Sequence, residues 1–88
     1  MKTVYRQSFE KDIKKPIDKK IRTSLLALIR EIKECNHMSE IKNIKKIKGV
    51  KKFYRIKVGE YRLGIKIESQ TVTFIRFLHR KDIYRYFP

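Results

Sequence analysis

With 88 residues the chain has room for one domain and a modest core, since a chain this short buries roughly 60–65% of the surface its unfolded form exposes. Hydrophobic residues make up 41% and charged residues 38%, which excludes a disordered chain while leaving it far more charged than average. Lysine and arginine number 24 against 9 acids, a formal net charge of +15. Self-repulsion on that scale opposes the compact state, and a polyanion or an acidic protein relieves it.

Residues 3–7 read as a short strand. Ser8 is placed to cap a first helical segment, with Glu10 and Asp12 early in it, where the helix dipole favours acids. Pro16 ends that segment or opens the next. A long amphipathic helix follows: Ile17, Ile21, Leu25, Leu28, Ile32 and Cys35 recur at spacings of three and four, with Leu26 and Ile29 widening the stripe. Core packing accounts for that stripe. Ile41, Ile44 and Ile47 at spacing three fit a helical turn or a loop pinned to the core, and equally a partner surface. The lysines between them leave the local structure undecided.

From Phe53 the period changes to two. Phe53–Val58 and Tyr61–Ile67 are expected strands around Gly59-Glu60, and glycine first in a two-residue loop is the type II′ hairpin signal. Thr71–Leu78 is a third strand, and Lys81–Phe87 a tail with room for one helical turn. The expected class is α+β, a small antiparallel sheet with N-terminal helices on one face, as one domain over residues 1–88.

The hairpin pairs Val58 with Tyr61, Lys57 with Arg62, Ile56 with Leu63 and Arg55 with Gly64. One face then carries Tyr54, Ile56, Val58, Tyr61, Leu63, Ile65 and Ile67 for the helix to cover. The other presents Arg55, Lys57, Arg62 and Lys66. Like charges directly opposite on a sheet are destabilising by up to about 1 kcal/mol, so Lys57 against Arg62 is a local rule broken, as functional sites break rules. A solvated polar face is the bland alternative. The charge balance disfavours it, because residues 41–88 carry a net +11 against +4 for residues 1–40. A two-residue loop at Ser69-Gln70 turns Arg76 toward the helix side, and a three-residue loop turns it to the basic side.

Cys35 is the only cysteine, so no intramolecular disulfide forms and a reducing compartment fits. The first residues lack an apolar signal core and no run approaches the ~20 apolar residues of a membrane span; the chain reads as cytoplasmic, with no membrane partner. His37 and His79 are separated and form no metal cluster with Cys35. No glycine-rich phosphate loop or Ser/Cys nucleophile arrangement is present, and no cofactor is expected.

Lys48-Gly49, the run from Tyr54 to Leu63, and His79-Arg80-Lys81-Asp82-Ile83-Tyr84 together resemble the RelE branch of the RelE/ParE toxins of type II toxin–antitoxin systems. The resemblance covers essentially the whole chain, with looser motifs in the helical half. It implies a ribosome-dependent messenger RNA endonuclease that inhibits translation and is neutralised by a cognate acidic antitoxin, with DNA met only through the antitoxin complex. It places Arg62 at the scissile phosphate, Arg80 as the candidate acid and Tyr84 as the candidate base, Tyr86 being the alternative to Tyr84. His79 is the conventional alternative acid. Arg55 and Lys57, with Lys52, Lys66, Arg76 and Lys81, are the expected phosphate-binding cations. The implied chemistry is metal-independent: the substrate's 2′-hydroxyl attacks the adjacent phosphate and leaves a 2′,3′-cyclic phosphate. Two other readings stand beside it, a non-cleaving ParE-like toxin acting on gyrase and a passive RNA- or DNA-binding module.

Overall fold

The computed structural model describes residues 1–88. The elements are β1 (Lys2–Tyr5), α1 (Gln7–Lys14), α2 (Lys19–Glu34), a 3-10 turn over Met38–Glu40, β2 (Ile44–Lys46), β3 (Phe53–Val58), β4 (Tyr61–Glu68), β5 (Thr71–His79) and α3 (Ile83–Tyr86). They form one mixed sheet in the order β1-β5-β4-β3-β2. β1 runs parallel to β5 and the other neighbours are antiparallel. The α+β class is therefore as expected.

The β3–β4 hairpin has the register that its sequence dictates, Lys57 opposite Arg62 and Arg55 opposite Gly64. Gly59 takes φ +57° and Glu60 does not turn left-handed, the pattern a type II′ loop requires. A Cβ on Gly59 would also lie 2.5 Å from Ile21 Cδ1 of α2, so the helix packs directly on the turn. The second hairpin closes through two left-handed residues, Ser69 and Gln70, with Glu68 opposite Thr71. A two-residue loop alone would send Arg76 to the helix side. Instead Gly64 pairs with Arg76 and Ile65 with Phe74, so Ile75 is an extra residue. That bulge reverses the alternation and returns Arg76 to the side of Arg55.

Two expectations about helices are corrected. Ser8 does not cap α1: the cap residue is Arg6, without a side-chain bond, and the Ser8 hydroxyl donates to Ile75 O at 2.6 Å. Leu26 does not widen the buried stripe, being 56% exposed. α2 is capped by Asp18, which accepts from Lys20 N at 2.7 Å. Arg22 Nη2 donates to Ile13 O at 2.8 Å, placing a cation at the C-terminal end of α1, as the dipole favours.

The main core lies between the helices and one sheet face, centred on Phe9, Leu25, Ile32, Leu63, Ile65, Phe74 and Phe77, with Ile41 at its margin. Each such side chain contributes about 1.5–3 kcal/mol by leaving water. A second, smaller cluster occupies the opposite face: Ile47, Leu78, Ile83 and Phe87, flanked by Val50, Phe53 and Ile75. It seats α3. The ring of Phe87 lies against Gly64, where a Cβ would come within 2.8 Å of it, so the glycine in β4 makes room for an aromatic ring of the same chain. Ile41 and Ile47 are thus buried on opposite faces and do not form a partner-facing ridge. The spacing of three misleads because Ile41 follows the 3-10 turn, Ile44 opens β2 and Ile47 follows it, so the three share no regular element.

Candidate RNA-binding site

Three β-strands and the segment before β2 bring the free cations together. Arg55 and Lys57 project from β3 and Arg62 from β4, while Asn43 and Lys45 come from the β2 segment. With Gly59 they line an open groove of about 460 Å³ whose wall has no hydrophobic side chain. None of Lys45, Arg55, Lys57 or Arg62 has a carboxylate within ion-pair distance. Arg62 Nη1 instead donates to Gly59 O at 3.1 Å and Tyr61 O at 2.9 Å. Its guanidinium is held near the hairpin turn by neutral acceptors, with no counter-charge beside it.

Arg55 also borders a second hollow of about 310 Å³, shared with Lys46, Ile47, Lys48 and Tyr84. The Tyr84 ring stands 5.8 Å from the Arg55 guanidinium and is 59% exposed. Tyr86 lies elsewhere, 5.4 Å from Arg76. Of the two tail tyrosines, Tyr84 adjoins the groove cations.

The other residues singled out in the sequence fall into separate places. Arg76 is bound by Asp12, Nε to Oδ2 at 2.8 Å and Nη2 to Oδ1 at 3.0 Å, and the same carboxylate accepts from Phe77 N at 2.9 Å. Asp12 is 2% exposed. Three bonds to one buried carboxylate tie α1 to β5, so Arg76 is part of the frame. Arg80 Nε meets Glu60 Oε2 at 2.8 Å at the hairpin end, and Arg80 N donates to Glu60 O at 2.8 Å. Lys52 and Lys66 both pair with Glu68 at the far end of the hairpin. The Lys52 hydrogen bond, and then the two ammonium charges, hold the Glu68 carboxyl below its ordinary value. Lys81 lies in the turn after β5, its N–H donating to His79 Nδ1 at 3.2 Å.

His79 sits opposite Tyr61 and meets its ring edge-on at 5.7 Å. It is therefore on the helix-side face, across the sheet from Arg62. Burial, and then Glu40, push the Cys35 thiol above its ordinary value, which suits an inert core residue.

Sequence reasoning overlooked Asn43, Lys45, Lys46 and Lys48 as site residues. The lysine run around them was visible, but only the short pairing of Ile44–Lys46 with Tyr54–Ile56 turns that run toward the groove.

The fold has relatives. Toxin RelE3 from Methanocaldococcus jannaschii is 44% identical over 89 residues, covering all of both chains. The toxin in the RelB-RelE antitoxin-toxin complex from Methanococcus jannaschii superposes with a TM-score of 0.82 at 42% identity, over 97% of this chain and 99% of that one. The E. coli DinJ-YafQ complex contains a chain with a TM-score of 0.65 at 16% identity, over 93% of this chain and 96% of that one; at that distance the likeness shows the fold alone. Residues 4–84 match the family described as the ParE toxin of type II toxin-antitoxin system, parDE. A five-stranded sheet with a cation-lined face, 44% identity to a toxin over its full length and that family match agree, and the chain belongs to the RelE/ParE toxins of type II toxin–antitoxin systems.

Proposed function

We propose that this toxin cuts messenger RNA positioned by the ribosome, and that the groove between Lys45, Arg55, Lys57 and Arg62 receives the backbone at the cut. The observation that carries the proposal is the concentration of unneutralised cations around a groove without apolar lining, beside an exposed tyrosine. Phosphate oxygens convert the Lys57–Arg62 repulsion into charge-assisted hydrogen bonds. They gain most in the transition state, where the phosphorus carries extra negative charge.

In this reading the 2′-oxygen of the substrate forms a bond to the adjacent phosphorus and the bond to the 5′-oxygen breaks, leaving a 2′,3′-cyclic phosphate and a 5′-hydroxyl. Tyr84 takes the 2′-hydroxyl proton, and Arg62 holds the phosphate. Arg80 exchanges Glu60 for the reacting phosphate and supplies a proton to the leaving oxygen. A phenol is a poor base and a guanidinium a poorer acid near neutrality, so the reaction depends on a substrate held in place by something larger, such as the ribosome. A cognate acidic antitoxin neutralises the net charge, the antitoxin-toxin complex of the RelB-RelE pair supporting such a partner, and the site of action is the cytoplasm.

A second reading, a non-cleaving toxin acting on gyrase, draws support from His79 facing away from the groove and from the pairing of Arg80 with Glu60. Induced expression in bacteria separates the two. With message ends mapped for the wild type, Arg62→Ala and Arg80→Ala, cuts on translated messages that vanish in both variants support the nuclease. Growth arrest that persists in both with messages intact overturns it.

A further inference from the structure

Asn43 is the one side chain lining the groove that phosphate binding does not explain. It stands between the 3-10 turn and β2 with φ +61°, a conformation that glycine adopts freely and asparagine tolerates. It is exposed, and its carboxamide makes no hydrogen bond within the chain. It lines the groove together with Lys45, Arg55, Lys57 and Arg62, and on its other side it borders the hollow between α2 and β3.

Cations grip a phosphate without regard to sequence; reading a base needs donors and acceptors matched to its edge. Among the side chains lining this groove, only the Asn43 carboxamide offers an uncharged donor and acceptor side by side. With the groove cations on an RNA backbone, a splayed-out nucleobase of the same strand would come within reach of Asn43, the arrangement by which single-stranded RNA is read. We propose that Asn43 is a specificity-determining residue that hydrogen-bonds the edge of a nucleobase flanking the bound phosphate. The proposal rests on the groove being the RNA site. It adds that the toxin discriminates among bases, and it names the residue responsible.

Asparagine also occupies left-handed turns for conformational reasons alone, so the test must preserve the backbone. Asn43→Gly keeps the φ angle and removes the carboxamide, and Asn43→Asp keeps the shape and removes the donors. Two measurements on each variant and the wild type keep this inference separable from the cleavage mechanism. Binding of the four single-base RNA oligomers at fixed salt reads recognition without catalysis. Mapped cut positions on translated messages read it during cleavage.

The wild type is expected to prefer one base by about five- to tenfold, the scale of a single amide–base contact. Asn43→Gly should bring the four oligomers to within about twofold of one another at unchanged melting temperature, and Asn43→Asp should reorder them. If the wild type cuts nothing, the nuclease reading fails and the binding series still decides this one. A base preference that survives in Asn43→Gly, or a wild type that binds all four oligomers alike, overturns the proposal.

Discussion

The two faces of this sheet are built from the same strands by opposite rules. On the helix side, Phe74, Phe77, Leu63 and Ile65 are fully buried, and in β3 and β4 every alternate position follows the hydrophobic pattern. On the other side, Arg55, Lys57 and Arg62 stand with no carboxylate near them. A small apolar patch under α3 holds the tail in place beside them. The first face makes the fold and the second spends part of that stability on holding like charges together. Substitutions on the two faces should therefore differ in what they change as well as in how much.

The largest effect belongs to the helix side. Phe74→Ala should lower stability by about 3–5 kcal/mol, through lost burial and the cavity left behind, read as a shifted denaturant midpoint. Gly64→Ala comes next, because its methyl meets the Phe87 ring. Overpacking of this kind costs about 1–3 kcal/mol, and undocking of the tail should expose Tyr84 further to quenchers of tyrosine fluorescence. Lys57→Thr reverses the sign. Removing one of two opposed cations should raise stability by up to about 1 kcal/mol, while the salt dependence of RNA binding flattens by about one. An unchanged slope would remove Lys57 from the phosphate contacts.

The smallest effect is a pH dependence at the far end of the hairpin. Lys52 and Lys66 depress the Glu68 carboxyl, so its contribution is present above the unfolded carboxylate value, about 4.3, and is lost as pH falls through the lower folded value. The melting-temperature gap between wild type and Glu68→Gln should be small near neutrality and close as pH falls past that window. A gap unchanged by acid would show the pair to be idle.

The contrast between faces also explains what could be read from the sequence. Alternation and Gly59 set the β3–β4 register, because a one-residue slip would have moved every apolar side chain into water. The long helix was legible in outline for the same reason, Leu26 excepted. The bulge at Ile75 was not, since it depends on Ser8 and Asp12, some 65 residues away in sequence, bonding to β5. Arg76 therefore looked like one more free cation. The short strand β2 escaped as well: three residues give no measurable period, and its lysines speak only of charge. Groove membership for Asn43 and Lys45 follows from that pairing, so a third of the groove wall lay outside what local pattern could show.

The segregation of charge has a consequence for how the protein arrives at a partner. Residues 1–40 are close to balanced, while residues 41–88 carry a net +11, and the three acids of that half lie at the hairpin turn, at the end of β4 and after β5. Unpaired cations gather along the groove strands, so on the proposed reading the field of a polyanion favours collisions that meet the groove first. On the proposed reading, speed of capture and its steep loss in salt both rest on the cations that line the groove.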